Sequence, residues 1–516
     1  DVQAKCKEKG FHCEKAKTFD GKTSNDSENE TYWGLFIVAF LSGLAALLTP
    51  CVFPMIPMTV SFFMKDKKNQ TGGIKDGLIF GLSIVVIYTV IGTIVALVFG
   101  ASFANWISTH WLPNTLFFII FMIFAASFLG AFEITLPSWL VNKIDSKADK
   151  GGLMGTFFMA FTIVLVSFSC TGPIVGAILV ESVQGGVMRP IIGMLGFGLA
   201  FALPFGLFAI FPQWLNNLPK SGGWLNTVKV VLGFLELALG LKFLSIADLT
   251  YHWGILDREV YLALWIIIFG LLGLYLLGKL KTAHDSDVPH IKVPRLLMGI
   301  GVLAFVVYLI PGMWGAPLKA ISGYLPPMHT QDFNIERSIK EAAGVPEGLC
   351  SKPSYEGLLH VPLELSGYFD YDEAVACAKE QKKPLFIDFT GHGCANCRKF
   401  ENLVWSDSKV LKLLRENFVI ASLYVDDKKA KLPKDQQYVS RFNGRLITTL
   451  GDKNSDIEKC YFGANTQPLY AVMDGTENLV APSRGTDFDG KSYDPEEFAK
   501  YLEDAIERFN KSNPKK

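Results

Sequence analysis

The stretch Pro384-Leu-Phe-Ile-Asp-Phe-Thr-Gly-His-Gly-Cys394-Ala-Asn-Cys397-Arg-Lys-Phe400 runs from an apolar segment into a helix-forming one, with two cysteines at the joint. The apolar run Pro384 to Phe389 reads as a buried strand, and Cys394 to Val404 reads as a helix. A dithiol at a strand-to-helix handover is the setting of thiol-disulfide exchange. A cysteine there feels unpaired amides and the positive end of the helix dipole, which favour thiolate over thiol. Cys394 is therefore expected to attack, and Cys397, one turn deeper and more shielded, to resolve the mixed disulfide. The alternative, half of a zinc site, needs a second ligand pair, and only His392 lies near the motif.

Outward from this motif the chain changes character. Half of its 516 residues are apolar and its mean hydropathy is +0.29, which points to a membrane protein with more than one domain. With 49 basic and 49 acidic residues and no cationic stripe interleaved with aromatics, nucleic acid is excluded as a partner class. The chain has nine cysteines and begins at Asp1 without a signal-peptide pattern, so it reads as processed or truncated.

Eight stretches are long and apolar enough to cross a bilayer: Trp33 to Met64, Gly77 to Phe99, Thr115 to Leu136, Gly155 to Ser182, Pro190 to Phe211, Thr227 to Ile246, Val260 to Leu277 and Leu296 to Pro311. Alternate loops divide their cations unequally. Lys65, Lys67, Lys68, Lys75, Lys143, Lys147, Lys150, Lys220, Lys279, Lys281, Lys292 and Arg295 fall on one side, and only Arg189 and Arg258 on the other. By the positive-inside rule both termini lie outside the cytoplasm, which puts the Cys394-Cys397 segment in an oxidising compartment.

The residues divide into a periplasmic tail (1–30), a transmembrane domain (31–313), a Pro- and Gly-rich linker (314–365) and a C-terminal domain (366–516). In the last, Tyr371 to Glu380, Lys409 to Glu416 and Pro495 to Phe509 read as helices. Leu385 to Phe389, Phe418 to Val425, Leu469 to Met473 and Leu479 to Ala481 read as strands, with a polar insertion before Leu469. Strands interleaved with helices, with a dithiol after an early strand, give a thioredoxin-like α/β domain. Pro468 stands just before a strand, where that fold has a cis-proline loop facing the dithiol, so Gln467-Pro468 is expected to be cis.

The membrane segment carries an internal repeat. Thr49-Pro-Cys51-Val-Phe-Pro54-Met-Ile-Pro57 in the first span matches Ser169-Cys170-Thr-Gly-Pro173 in the fourth, both Cys-x-x-Pro within apolar sequence. Ser127-Phe-Leu-Gly-Ala-Phe132 in the third echoes Ala238-Leu-Gly-Leu-Lys-Phe243 in the sixth. Three spans plus three require inverted topology, and the pseudo-twofold axis brings Cys51 and Cys170 to equivalent depths where they could form a disulfide. Pro54 and Pro173 remove amide donors, so both helices should break near mid-membrane beside a wet vestibule. The bland alternative is two inert buried thiols. Glu133, Glu181, Glu236 and Lys242 read as lying near span ends, where snorkelling or interhelical pairing accounts for them.

These motifs resemble the DsbD-type thiol:disulfide interchange proteins, whose membrane part resembles the cytochrome c biogenesis protein CcdA and whose C-terminal part is thioredoxin-like. The resemblance runs from about Trp33 to the C-terminus. It implies that cytoplasmic thioredoxin, supplied ultimately by NADPH, reduces the Cys51-Cys170 disulfide, and that these thiols reduce Cys394-Cys397. Periplasmic disulfide isomerases and cytochrome c maturation thiol proteins would be the acceptors, in a multi-pass protein of the bacterial inner membrane with no bound cofactor or metal. The family also has an N-terminal immunoglobulin-like domain with its own cysteine pair. Cys6-Lys-Glu-Lys-Gly-Phe-His-Cys13 is similar to the end of that domain, though one residue longer in spacing and without the usual proline, and an isolated structural disulfide is the alternative. If the match holds, most of that domain lies upstream or has been cut away.

By position in the family, Asp388 corresponds to the buried carboxylate under the dithiol and Glu401 to an acid beside it, either of which could move a proton for Cys397. The usual tryptophan before the first cysteine is replaced by Gly393. Of the remaining cysteines, Cys377 reads as packing, and Cys350 with Cys460 as a possible bridge. Two rival functions remain: a membrane solute carrier with a fused thioredoxin-like regulator, and an oxidase passing electrons to quinone.

Overall fold

The structure is a computed structural model that describes residues 32–47, 70–132, 188–210, 222–282, 290–332, 349–442, 444–485 and 493–512, with isolated positions 157, 160, 161 and 164. Its membrane part comprises α1 (Tyr32–Ala46), α2 (Gln70–Thr109), α3 (Trp111–Phe128), α4 (Met188–Ile210), α5 (Gly222–Tyr251), α6 (Arg258–Leu276) and α7 (Val293–Leu309). Among the described residues, six helical stretches are long and apolar enough to span: Gly77–Ile94, Trp111–Phe128, Pro190–Leu207, Asn226–Tyr251, Arg258–Leu276 and Val293–Trp314. The molecule is a multi-pass membrane protein. Of the two other expected spans, the first is described only as the short apolar helix Trp33–Ala46, and the fourth lies almost wholly outside the described residues.

The spans pack through their own sequence periodicity. On α2, Phe80, Ile84, Ile87 and Tyr88 are buried against Met194, Phe197, Phe201 and Phe205 of α4, while Leu78, Leu82, Val86 and Val90 on the opposite face are exposed, as a lipid-facing stripe must be. Tyr88 meets both Phe197 and Phe201 at ring separations of 5.4 Å. Where α1 crosses α4 the backbones nearly touch: a Cβ on Gly43 would sit 2.9 Å from the Phe197 carbonyl oxygen, and one on Gly196 would sit 2.8 Å from that of Phe36. Small residues permit this approach, and dispersion over the close contact replaces the hydrophobic drive that lipid does not supply. α3 packs on α5 through Phe121 and Phe243, 5.2 Å apart.

α5 and α6 are joined by a turn that Asp248 closes, its two carboxylate oxygens accepting from Ile255 N and Leu256 N at 3.0 Å each. Buried Arg258 then donates to the Pro326 and Ala316 carbonyls, and Gln331 to those of Gly312 and Met313, strapping residues 314–332 against this end of the bundle.

The C-terminal part is an α/β domain. Its sheet has the order β2-β1-β5-β6, from β1 (Leu385–Thr390), β2 (Val419–Tyr424), β5 (Leu469–Met473) and β6 (Leu479–Gly485). β1 runs parallel to β2 and antiparallel to β5. Every residue of β1, β2 and β5 is buried, because helices cover both faces. One face packs on α8 (Tyr371–Gln381) and α11 (Leu450–Phe462). The other packs on α10 (Ser408–Asn417) and α12 (Pro495–Ser512). A small hairpin, β3 (Tyr438–Val439) with β4 (Leu446–Ile447), precedes α11. The dithiol helix is α9 (Ala395–Phe400), continued by a π turn over Glu401–Trp405.

The expected strands and helices of this domain are present. α11 stands where the sequence shows only a polar insertion before Leu469. Its sequence, Leu-Gly-Asp-Lys-Asn-Ser-Asp-Ile-Glu-Lys-Cys-Tyr-Phe, has no apolar stripe, yet Lys453, Asn454, Ser455, Asp456 and Glu458 are all buried. Their partners are polar groups. Lys453 reaches Asp370 and Asp372 at 2.7 and 2.8 Å, Asn454 donates to the Tyr424 carbonyl, and Asp456 accepts from Tyr438 and Ser440. Thr449 caps the helix by accepting from Asp452 N, and Gly463 ends it at φ 62.

Candidate functional site: a dithiol loop between two domains

Cys394 and Cys397 are joined as a disulfide, with Cα atoms 5.3 Å apart. Cys394 occupies the N-cap of α9, where its sulfur accepts the Cys397 amide at 3.1 Å, and it is half-buried whereas Cys397 is 1% exposed. The outer sulfur is thus reachable and already held by a donor that would stabilise a thiolate, and the inner one is shielded. The Gln467-Pro468 bond is cis, as expected. Leu469 pairs with Phe389 in the β1–β5 register, so Pro468 stands level with the end of β1, where the dithiol loop begins.

Beneath the loop lies a buried ionisable cluster. Asp388, on β1, accepts from Ser422 Oγ at 3.2 Å, and Arg398 donates to Thr390 Oγ1 at 2.9 Å and pairs with Glu401 at 2.8 Å. Burial pushes the Asp388 carboxyl up to about 7 against the opposing pull of Arg398. Glu401 is raised by burial to about 8, again opposed by Arg398. Both carboxyls thus titrate near neutrality instead of in the ordinary carboxylate range, where a group can exchange a proton with a thiolate. Arg398, which sequence reasoning did not single out, ties Glu401 to the end of β1 through Thr390. Its only signal was a cation one residue after the second cysteine.

Two further positions escaped the sequence reading. Glu458, on α11, accepts from Thr466 N and Gln467 Nε2 at 2.8 Å each, fixing the loop that carries Pro468. Burial raises its carboxyl to about 8. Asp426, after β2, accepts from His392 N at 2.9 Å and Gly393 N at 3.1 Å, and so holds the backbone leading into Cys394.

The dithiol loop faces the membrane part. A Cβ on Gly393 would lie 3.3 Å from Ile246 of α5, and one on Gly323 would lie 3.1 Å from the Ala395 carbonyl oxygen. Gly393 therefore leaves room for α5. His252, at the end of α5, and His392 both bond through Nε2 to Asp427 Oδ2, at 2.6 and 2.9 Å. Among the described residues these three form the one group whose donor atoms could converge on a metal ion, all lying within 4.8 Å of one another. The two N···O separations are hydrogen-bond lengths, so the carboxylate and imidazoles already satisfy each other.

Three expectations are corrected: Cys377, read as packing, is a disulfide partner. Cys350 is bonded to Cys377, not to Cys460, because the chain entering the domain lies along α8 with the two Cα atoms 5.5 Å apart. Glu236 does not lie near a span end: it sits in mid-helix on α5, is 0% exposed, and neither carboxylate oxygen has a hydrogen-bond partner among the described residues. Cys51, Cys170, Pro54, Pro173, Cys6, Cys13, Glu133 and Glu181 lie outside the described residues.

Comparison with known proteins agrees with this architecture. The family model described as "Cytochrome C biogenesis protein transmembrane domain" matches residues 32–246, and one described as "Thioredoxin-like" matches residues 366–474. Two thiol:disulfide interchange proteins of Pseudomonas aeruginosa are similar to the chain: DsbD 1 is 27% identical over 378 residues and DsbD 2 is 29% identical over 393 residues. The chain is similar to the DsbD-type thiol:disulfide interchange proteins. The alignments cover 72% of the chain and 58% of DsbD 1, and 74% of the chain and 60% of DsbD 2. DsbD of Campylobacter jejuni is 25% identical over 432 residues, 80% of the chain and 67% of that protein. The chain thus spans about three fifths of the length of the Pseudomonas relatives it matches. The region that matches the transmembrane family model and the thioredoxin-like region meet at the dithiol loop.

Proposed function

We propose that this chain is a DsbD-type protein-disulfide reductase of the bacterial inner membrane, with both termini periplasmic. It would relay electrons from cytoplasmic thioredoxin through Cys51 and Cys170 to the Cys394-Cys397 disulfide. The observation that carries the reading is the placement of this disulfide: at the strand-to-helix joint of a thioredoxin-like domain, with its loop against the end of a membrane helix. The pairing of α2 with α4 and of α3 with α5, each from corresponding positions of two three-span units, supports the inverted repeat and the eight-span reading.

The chemistry needs no bound cofactor. A thiolate of the membrane pair attacks Cys394, the S–S bond breaks, and Cys397 leaves as a thiolate that takes a proton from Asp388 or Glu401. The second membrane thiol then attacks its partner's sulfur and releases Cys394. Two electrons have moved outward, the membrane pair is oxidised and Cys394-Cys397 is reduced. Repeating the exchange with a periplasmic disulfide, in isomerases or cytochrome c maturation proteins, regenerates the starting state. From a donor near −270 mV to an acceptor near −120 mV, a two-electron step releases about 7 kcal/mol.

Replacing Cys51 or Cys170 with Ser tests the relay: alkylation trapping in cells should then find Cys394-Cys397 oxidised. A solute carrier with a fused regulator would leave that redox state unchanged, and an oxidase would leave the wild-type dithiol dependent on quinone. A Cys397→Ser variant, unable to resolve, should accumulate a mixed disulfide whose partner mass spectrometry names.

A further inference from the structure

α5 ends at Tyr251, and the next residue, His252, takes the left-handed conformation with φ 51, an uncommon state for a residue with a side chain. That turn aims its imidazole out of the membrane domain at Asp427, which follows β2 of the thioredoxin-like domain. Asp427 is held for the encounter. Its Oδ1 accepts from Lys429 N at 3.0 Å and Ala430 N at 2.7 Å, leaving Oδ2 to the two imidazoles. The carboxylate is fully buried. Burial alone would raise its pKa, but the bonds from His252 and His392 hold it well below the ordinary carboxylate range. It is therefore an acceptor only, and each Nε2 donates.

The two imidazoles come from opposite sides of the joint, and His392 lies two residues before Cys394. Their rings meet edge to face, with centroids 5.0 Å apart. Around them Lys428 N donates to the Thr250 carbonyl at 3.4 Å and Lys429 Nζ to the His252 carbonyl at 3.3 Å. The same contact presses Gly393 onto Ile246 and Ala395 onto Gly323, on either side of Cys394.

We propose that Asp427, shared between His252 of the membrane domain and His392 of the dithiol loop, is a latch that docks the thioredoxin-like domain in its electron-accepting position, and that it must open before the dithiol can meet a protein partner. Docking covers the residues flanking Cys394, so the membrane domain and an outside protein compete for one face. Because a hydrogen bond to a charged group is a modest, breakable contact, the latch orients the domain without trapping it. His252 and Asp427 are positioning residues, and the electron-accepting part of the inference rests on the relay proposed above.

The test uses the full chain in lipid nanodiscs, as wild type, His252→Ala and His252→Gln, the last keeping an amide donor at similar reach. Two readouts are taken: hydrogen exchange at the Lys428 amide, which the docked state protects, and the rate at which reduced thioredoxin reduces Cys394-Cys397. In His252→Ala, exchange should quicken and transfer should slow by about tenfold or more, the weight of one hydrogen bond to a charged group. In His252→Gln both should stay near wild type, and direct reduction by dithiothreitol should be equal in all three. Protection retained in His252→Ala overturns the latch, and so does protection lost equally in both variants. If wild type itself passes no electrons from thioredoxin, the relay has failed, and the exchange data still decide whether the latch docks the domain.

Discussion

Asp388→Asn isolates the energetic consequence of a carboxyl buried under the dithiol. The group is 1% exposed and its pKa rises from 3.8 to about 7, mainly by burial. A raised carboxyl pKa means that the folded state holds the proton more tightly than the unfolded one. Stability from this group is then greatest below about pH 4, falls as pH climbs toward 7, and is flat beyond. The span corresponds to a penalty on the order of 4 kcal/mol at pH 8 for a carboxyl this deeply buried. Asparagine cannot ionise and keeps an oxygen for Ser422 Oγ, so the variant should gain on wild type as pH rises. The assay is amide exchange of β1 and β2 in the intact protein, compared between variant and wild type at each pH so that intrinsic rates cancel. The exchange ratio should shift toward protection in the variant by between about tenfold and a thousandfold from pH 4 to pH 8. A ratio that stays constant across that range would refute the argument that burial makes Asp388 hold its proton more tightly in the folded state.

Three other outcomes are expected. Glu458→Ala leaves Thr466 N and Gln467 Nε2 without their acceptor and should cost about 1–3 kcal/mol, with Glu458→Gln recovering part of it; local exchange at Thr466 reads the difference. Gly196→Leu drives a side chain into the Phe36 carbonyl of α1 and should lower stability by about 1–3 kcal/mol, seen as a reduced thermal midpoint in detergent, whereas Gly34→Leu, with open space around it, should be close to neutral. Opening the Cys350–Cys377 bridge by a double alanine variant frees a 27-residue loop and should cost about 3.5 kcal/mol on chain-entropy grounds, while Cys394-Cys397 remains reducible by dithiothreitol.

What was legible in the sequence followed from how strongly each element states its period. β1 and β2 are buried on both faces and read as mostly apolar runs, broken only by Asp388, Thr390 and Ser422; the spans are apolar beyond any soluble helix; Pro468 stands where a strand begins. α11 was not legible because its buried side carries Lys453, Asn454, Asp456 and Glu458, whose burial depends on partners far away in sequence, such as Asp370 and Tyr424. The Cys350–Cys377 pairing was hidden for a similar reason: Cys377 looks like packing until the approach of the chain before α8 is known. Arg398 and Asp427 are ordinary surface residues by type. Only the fold shows that one is buried between two acids and the other between two imidazoles.

The site follows a common physical logic in its two halves. Around Cys397, burial raises the Asp388 and Glu401 carboxyls toward neutrality, with Arg398 limiting how far each is raised. At the domain joint, burial of Asp427 is outweighed by its hydrogen bonds, so the charge persists and orients both imidazoles. The same desolvation thus yields an acid in one place and a fixed anion in the other, and the number of donors aimed at each carboxylate decides which. Asp388 receives one hydroxyl, whereas Asp427 receives two ring N–H groups and two backbone amides. In the relay proposed above, the dithiol would draw on both: an exchangeable proton near its inner sulfur, and a reversible electrostatic hold on the domain that carries it.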